Sequence, residues 1–303
     1  MKSAAIQKVA DPMKLWENYH IARSVDETLD TLAKVSGEVQ IIGGGTDLLL
    51  DLQQGRHNPV DTLIDINEIP EMGALEITGD EIFIGAAVPH KKITTSPIIQ
   101  EHCQALATAS GLIGGPQVRN TATIGGNVAH ALPAADGTIA LMALDAYAEV
   151  ASAAGKRRIP IVELFLGPGK SALKPRHEIL TGFYVKLRST GQSSAFNRIM
   201  RPQGVAIAIL NLAVWLHRSD DLIHAVRIAV GPSGPVPRRM RQAEQTLIGK
   251  PLTDESIEAA YAAVLAEASF RTSRHRATKE YREKMVRVLL EKTLIEAFES
   301  AAR

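Results

Sequence analysis

Two glycine-rich stretches dominate the sequence: "IIGGGTD" at residues 41–47 and "RNTATIGGN" at residues 119–127. In both, glycines directly follow β-branched residues. Because glycine has no Cβ, consecutive glycines let backbone N–H groups approach an anion closely. The three glycines of the first stretch, followed by Thr46, offer close amides and one hydroxyl, which suits a pyrophosphate. A plain strand-to-helix turn is the equally open alternative.

The first stretch matches neither familiar nucleotide motif. Leu48 stands where a GxGxxG motif has its third glycine, and no Lys-Ser/Thr follows as in a Walker A loop. The second stretch belongs to a polar segment, residues 114–137, with five glycines and the end "PAADG". We predict a ligand-binding loop there, in which Asp136 supplies a carboxylate suited to ribose hydroxyls. The two loops together could close over one dinucleotide.

The composition excludes several function classes. A formal net charge of +1 provides no field for nucleic acid, and 4% aromatic residues provide little for base stacking. The sequence has neither the apolar core of a secretion signal nor a run of 18 apolar residues, which predicts a cytoplasmic protein without a membrane span. Cys103 is the only cysteine, so an internal disulfide and a four-thiolate iron–sulfur cluster on this chain are excluded.

Catalytic and metal-binding patterns are also absent from the sequence. The nine histidines are scattered, and neither an HxxxH nor a CxxC spacing occurs. We find no convincing triad or carboxylate pair. The sequence therefore predicts neither a metal site nor catalytic residues on this chain.

The first half of the sequence predicts mixed strands and helices. A helix is predicted at residues 25–34, where Ser24 and Glu27 form the capping-box pattern. One continuous helix is predicted at residues 96–113, capped by Ser96. Further predictions are strands at residues 39–42, 61–66 and 81–88, a short helix at residues 133–146, and a hairpin at residues 148–164 that turns at Gly155.

From residue 178 the pattern changes to strands in series followed by helices. Strands are predicted at residues 178–187, 194–200, 205–217 and 222–231, and helices at residues 254–268 and 279–301. This order is typical of an α+β domain with helices on one face of an antiparallel sheet. We therefore predict three units, at residues 1–58, 59–177 and 178–303.

The order and spacing of several segments resemble one known family. The segments are "GGGTDLLLDLQQG", "IFIGAAV", "QVRNTATIGGNVAHALPAADGTIALMALDA" and "RIPIVELF", and near the C-terminus "RIAVGPSGPVPRRMRQAEQTLIG" and "YREKMVRVLLEKTLIEA". They are similar to the FAD-binding medium subunit of molybdenum hydroxylases, the xanthine dehydrogenase and carbon monoxide dehydrogenase family. The resemblance implies two FAD-binding subdomains of the vanillyl-alcohol-oxidase (PCMH) type, followed by an α+β C-terminal domain with an antiparallel sheet and helices.

The resemblance also implies which residues contact FAD. The first loop would wrap the pyrophosphate, the second would touch the phosphates or the flavin side, and Asp136 would bind the adenosine ribose. Ordinary core packing is an equal alternative for Ile113 and Leu180. The full predicted set is Ile41, Ile42, Gly43, Gly44, Gly45, Thr46, Asp47, Leu48, Ile113, Thr123, Gly126, Asn127, Asp136 and Leu180.

Two features concern the flavin itself. Relatives that attach FAD covalently have a histidine in or beside the first loop, and "GGGTDLL" has none, so the resemblance implies non-covalent FAD. Some members have a lysine near the flavin at the start of the third domain. Asn197 stands at that position here, with Arg198 and Arg201 nearby. Arg119 is another candidate cation near the site, and a structural role is equally open for it.

The resemblance implies an oxidoreductase subunit that carries electrons. Electrons from [2Fe–2S] clusters on a small subunit would reach FAD here and pass on to NAD or another acceptor. The molybdenum cofactor would lie on a large subunit, and the assembly would be a dimer of heterotrimers. Two alternatives stay open: a self-sufficient FAD oxidoreductase of the same fold, and an assembly subunit without flavin function.

Overall fold

The N-terminal unit is a small parallel sheet with two helices. The computed structural model describes residues 14–201 and 207–302. Strands β1 and β2 both pair in parallel with the central β3. The elements are β1 (Trp16–Ile21), α1 (Val25–Lys34), β2 (Val39–Ile42), α2 (Leu48–Gln53) and β3 (Val60–Asp65). Ser24 caps α1 as predicted, although the Glu27 carboxylate accepts from the Arg23 N–H and not from the cap residue.

The middle unit combines an antiparallel sheet of five strands with a group of short helices. The sheet order is β4-β5-β10-β6-β7, and β8 and β9 form a separate hairpin. The strands are β4 (Leu75–Thr78), β5 (Glu81–Gly85), β6 (Tyr147–Ser152), β7 (Gly155–Pro160), β8 (Phe165–Gly167), β9 (Lys170–Ser171) and β10 (Glu178–Lys186). The helices are α3 (His90–Thr95), α4 (Pro97–His102), α5 (Gln104–Leu112), α6 (Pro116–Thr121), α7 (Ile124–Ala129) and α8 (Asp136–Ala143).

The C-terminal unit is an antiparallel sheet, order β11-β12-β13-β14, followed by three helices. Its elements are β11 (Gln192–Ile199), β12 (Leu210–Ser219), β13 (Leu222–Gly231), β14 (Arg238–Arg239), α9 (Arg241–Leu247), α10 (Asp254–Glu267) and α11 (Lys279–Ser300). Residues 205 and 206, the start of one predicted strand, lie outside the described residues. The α+β architecture is thus confirmed.

Alternation along the strands gives the C-terminal sheet two different faces. Leu212, Val214 and Leu216 of β12 pack in a core with α9, α10 and α11. The neighbouring Ala213 belongs instead to the core of the middle unit, and α5 and α8 cover that face. The helices α10 and α11 on one face agree with the prediction. The cover of the other face by α5 and α8, which precede the sheet in the chain, was not predicted.

One strand lies in a different sheet from the one predicted. β10 was expected to begin the C-terminal sheet, but its hydrogen bonds place it between β5 and β6 of the middle sheet. A boundary at 177/178 would separate β10 from its sheet, and one at 58/59 would separate β3 from β1 and β2. We therefore propose boundaries after residue 65 and within residues 187–191.

The predicted helix at residues 96–113 is interrupted at Cys103, which has non-helical backbone angles. Ser96 caps the first part, α4, as predicted. The N–H of Ala105, at the start of α5, donates to the Ser194 hydroxyl of β11 at 3.1 Å. This contact with a residue 89 positions away gives α5 a cap that local sequence does not reveal.

Candidate functional site

The first glycine stretch connects β2 to α2 and leaves its amides free. Among the residues that the structure describes, the N–H groups of residues 43–48 donate to no acceptor. Gly45 has φ +67°, and the side chains of Ile42 and Leu49 fill the space where its Cβ would stand. The loop is half-buried, and Asp47 is exposed. Six successive amides without partners are the kind of backbone donors that an anion-binding cradle requires.

Asn67 holds the first loop from behind. Its side-chain amide donates to the Gly43 carbonyl at 3.0 Å and to the Asp65 carboxylate at 2.7 Å. The Gly43 carbonyl is therefore occupied, while the N–H groups of residues 43–48 have no acceptor within the described residues. The sequence reasoning missed Asn67, whose only signal is its place two residues after a strand that ends beside β2.

The two glycine stretches lie against each other. A Cβ on Gly44 would stand 2.2 Å from the Thr121 carbonyl oxygen and 2.6 Å from the Ala122 Cα. A Cβ on Gly43 would stand 3.1 Å from the Thr123 Oγ1. Residues some eighty positions apart in sequence thus meet backbone to backbone. The two stretches therefore lie side by side, and their closure over one FAD stays a prediction.

The second stretch is helical where a loop was predicted. Thr123 separates α6 from α7, and its Oγ1 accepts from the Gly126 N–H at 3.1 Å as the N-cap of α7. A Cβ on Gly125 would stand 2.5 Å from the Ala86 carbonyl oxygen, so this glycine serves packing against the end of β5. Gly126 is exposed, although its N–H donates to Thr123 and its carbonyl accepts from the His130 N–H.

Asn127 connects the second stretch to α8. Its Oδ1 accepts from the Thr138 N–H at 3.1 Å. A Cβ on Gly137 would stand 2.8 Å from the same oxygen. The amide oxygen of Asn127 therefore fixes the first turn of α8, and no hydrogen bond to its Nδ2 is found within the described residues.

Asp136 is buried and faces the C-terminal unit. Its two carboxylate oxygens accept from the Arg198 guanidinium and, at 2.5 Å, from the Asn211 side-chain amide. Burial raises the pKa of the Asp136 carboxyl above its ordinary value, against the opposing effects of Arg198 and Asn211. The ribose contact stays a prediction, and the structure gives the carboxylate another role.

Ile113 and Leu180 occupy different surroundings. Leu180 is buried in the core of the middle unit. Ile113 is half-buried at the end of α5. The Arg119 guanidinium donates to the Ile113 carbonyl at 3.1 Å and to the Gly114 carbonyl at 2.7 Å. These bonds give Arg119 a structural role at the turn after α5. Flavin contact by Ile113 and Leu180 stays a prediction.

His90 lies directly behind the second stretch. The backbone N–H of His90 donates to the Ala122 carbonyl, and the ring Nδ1 lies 3.2 Å from the Ser110 hydroxyl. Burial lowers the pKa of His90 to about 4, and the nearby Arg119 adds to the lowering. The imidazole is therefore neutral at pH 7. The sequence alone did not identify His90, because its neutral state depends on burial, which the sequence does not show.

Asn197 faces away from the middle unit. Its Nδ2 donates to Glu296 of α11 at 2.7 Å. The next residue, Arg198, points to the other face of the sheet and reaches Asp136. A lysine at position 197 would therefore point toward α11, whereas Arg198 is the cation of β11 that reaches the middle unit.

The described residues, 14–201 and 207–302, hold neither a metal-ligand cluster nor a membrane-spanning helix. There, no group of three or more His, Cys, Asp or Glu side chains is arranged to hold a metal ion. None of the described helices has the length and apolar character needed to cross a membrane. Neither result identifies a further functional centre.

Two family profiles cover most of the chain. The profile described as "FAD binding domain in molybdopterin dehydrogenase" matches residues 11–185. The profile "CO dehydrogenase flavoprotein C-terminal domain" matches residues 194–297. The first profile includes both glycine stretches and all but the last residue of β10, and the second begins within β11.

Individual proteins agree along nearly the whole chain. The nicotine 6-hydroxylase medium subunit of Paenarthrobacter nicotinovorans is 34% identical over 280 residues, 92% of this chain and 96% of that protein. The xanthine dehydrogenase FAD-binding subunit of Escherichia coli O157:H7 is 31% identical over 288 residues, 94% of this chain and 97% of that protein. A carbon monoxide dehydrogenase structure from Hydrogenophaga pseudoflava superposes with TM-score 0.88 at 29% identity, covering 94% of this chain and 98% of that one. The chain therefore belongs to the FAD-binding medium subunits of the xanthine and carbon monoxide dehydrogenase family of molybdenum hydroxylases.

Proposed function

We propose that the chain binds FAD non-covalently and carries electrons within a multi-subunit molybdenum hydroxylase. The observation that carries the proposal is the row of six unpartnered amides at residues 43–48, placed against the second glycine stretch. A pyrophosphate supplies acceptors for such donors, and a carboxylate-lined loop would repel it. The exposed Asp47 is the only acid in this row, and its side chain makes no cap bond to α2.

Each stretch would contact a different part of FAD. The amides of residues 43–48 and the Thr46 hydroxyl would bind the pyrophosphate. Gly126 and the free Nδ2 of Asn127 would contact the opposite side of the cofactor. FAD, when bound, supplies the chemistry of accepting electrons from [2Fe–2S] clusters of a small subunit and passing them to NAD or another acceptor.

The proposed partners follow from the relatives. Their names describe a medium subunit of nicotine 6-hydroxylase and a subunit of a 6-hydroxypseudooxynicotine dehydrogenase complex. By analogy, a large subunit would hold the molybdenum cofactor and a small one the [2Fe–2S] clusters, in a dimer of heterotrimers. Cys103, the only cysteine, is fully buried, so this chain cannot itself supply the thiolates of a cluster. A cytoplasmic location is part of the same proposal.

The test is a titration of the flavin-free chain with FAD, FMN and riboflavin, followed by flavin fluorescence. Because the proposed site recognises a pyrophosphate, FAD should bind at one equivalent, FMN should bind more weakly and riboflavin should show no saturation. A chain that binds none of the three would be an assembly subunit. Sustained oxidation of an organic substrate other than NADH by the FAD-loaded chain alone, with a dye as the electron acceptor, would favour the self-sufficient oxidoreductase.

A further inference from the structure

The turn before α8 is enclosed by three strands of the C-terminal unit. Arg198 of β11 reaches the Asp136 carboxylate, and Asn211 of β12 donates to both Asp136 and, at 3.1 Å, the Ala134 carbonyl. Gly231 ends β13, and a Cβ there would stand 2.7 Å from the Pro133 carbonyl oxygen. Strands β11, β12 and β13 thus each contribute one residue that contacts this short turn.

The ion pair at the centre of this contact is almost completely shielded from water. The Arg198 and Asp136 side chains are 6% and 5% exposed. The Arg198 Nε is buried without a hydrogen-bond partner, and Asp136 is the only anion paired with this guanidinium among residues 14–201 and 207–302. A buried pair often stabilises a fold no better than apolar side chains of similar size. Its position therefore matters more than its contribution to stability.

From Asp136 the contacts continue to the second glycine stretch. Asp136 is the first residue of α8, and two residues later the Thr138 N–H donates to the Asn127 Oδ1. The Thr138 hydroxyl lies 3.4 Å from the Asn127 carbonyl oxygen. The first turn of α8 is therefore held on one side by Arg198 and Asn211, and on the other side it holds Asn127.

We propose that Arg198 is a positioning residue for FAD, which acts through Asp136 and the first turn of α8 on Asn127. The C-terminal unit thereby sets the geometry of the FAD site without touching the pyrophosphate. Asp136 is the anchor of this contact. The inference rests on the proposed function, since it requires that the second stretch contacts FAD.

A double-mutant cycle tests the proposal with the full chain. The variants are Asp136→Asn, Arg198→Met and the combination of both, and the dissociation constant of FAD is measured beside the Tm of the flavin-free chain. Each single change leaves a buried group without its charge partner, so FAD should bind about tenfold more weakly or worse. The double variant removes both charges, and its FAD affinity should return to within about threefold of the wild type.

The outcomes separate three roles of Asp136. If the double variant binds FAD as weakly as Asp136→Asn alone, Asp136 contacts the cofactor directly and the proposal is overturned. If the single variants lower Tm but leave the FAD dissociation constant unchanged, the pair is only structural, and the proposal is again overturned. A wild-type chain that binds no FAD would instead refute the proposed function.

A matched control and a milder variant complete the design. Arg239 pairs with Glu244 of the C-terminal unit at 2.7 Å and with Asp145 at 2.9 Å, beyond the last turn of α8 and at the opposite end of that helix from Asp136. Arg239→Met should lower Tm without changing FAD affinity. If Arg198→Met does not fold, Arg198→Lys keeps the charge but loses the planar fork, and it should bind FAD measurably more weakly than the wild type. Wild-type affinity in Arg198→Lys, with Tm lowered, would contradict the proposal.

Discussion

The two glycine stretches share a sequence pattern but use their backbone groups in opposite ways. In the first, the amides of residues 43–48 have no acceptor within the described chain, and Asn67 occupies a carbonyl on the other side. In the second, Thr123 caps α7, Gly125 packs on Ala86 and Asn127 holds α8. The first stretch is therefore shaped for a ligand, and the second is held in place by the rest of the protein.

This difference teaches that a glycine-rich motif has at least two physical causes. Gly45 is required by its positive φ, whereas Gly44 and Gly125 are required because another backbone lies too close for a Cβ. Only a loop with free amides can bind an anion through its backbone. Changes in the first stretch should thus alter ligand binding directly, whereas changes in or behind the second should alter stability and reach the ligand only through the position of Asn127.

The largest effect is expected at the contact between the stretches. Gly44→Ala places a methyl group 2.2 Å from the Thr121 carbonyl oxygen, and backbone at that distance must move apart. We expect FAD affinity to fall by about 3 kcal/mol or more, over 100-fold, on the scale of overpacking in a rigid site. Gly73→Ala is the control, because nothing lies within 4 Å of its Cβ position and its φ is not positive. Equal FAD affinity of both variants in the titration would show that the two stretches can move apart without weakening FAD binding.

The second effect concerns stability behind the second stretch. His90 is neutral when folded because burial lowers its pKa to about 4 from 6.5. Below pH 6.5 the unfolded chain binds a proton that the folded chain does not, so stability is lost as pH falls from 6.5 toward 4. The expected loss is about 3 kcal/mol from this group. It is measured by urea unfolding at pH 7 and pH 4.5.

His90→Gln isolates this contribution from the other titrating groups. The variant lacks the imidazole, so its loss of stability between pH 7 and pH 4.5 should be smaller than that of the wild type. His275→Gln, at an exposed position, should keep the wild-type dependence. Parallel pH profiles of wild type and His90→Gln would show that the imidazole is not held neutral in the folded chain.

The sequence revealed the glycine stretches, the capped helices at Ser24 and Ser96 and the α+β order, because these depend on neighbouring residues. It did not reveal that β10 joins the middle sheet, because a residue pattern predicts a strand but not the strands with which it pairs. It also did not reveal the break at Cys103, beside which the Ala105 N–H donates to Ser194 far along the chain. The orientation of Arg198 toward Asp136 likewise depends on strand register, which local pattern leaves open.

A smaller effect is expected when the first stretch loses its hydroxyl. Thr46 is half-buried, and its hydroxyl has no hydrogen-bond partner in the described part of the chain. Thr46→Val should leave the free energy of unfolding of the flavin-free chain unchanged. FAD affinity should fall by about 1.5 kcal/mol, the usual scale of a hydrogen bond to a charged group. Thr46→Ser should retain the affinity. A loss of stability without a loss of affinity in Thr46→Val would remove the hydroxyl from the phosphate site.

The smallest effect is expected at the corresponding threonine of the second stretch. Thr123 is buried, and its Oγ1 already accepts from the Gly126 N–H as the cap of α7. Thr123→Ala should therefore lower the free energy of unfolding by about 1 kcal/mol, the usual cost of a lost N-cap, and Thr123→Ser should restore most of it. FAD affinity should change less than in Thr46→Val, because the hydroxyl is committed to the protein. A larger loss of FAD affinity in Thr123→Ala than in Thr46→Val would mean that the second stretch, and not the first, provides the stronger phosphate contact.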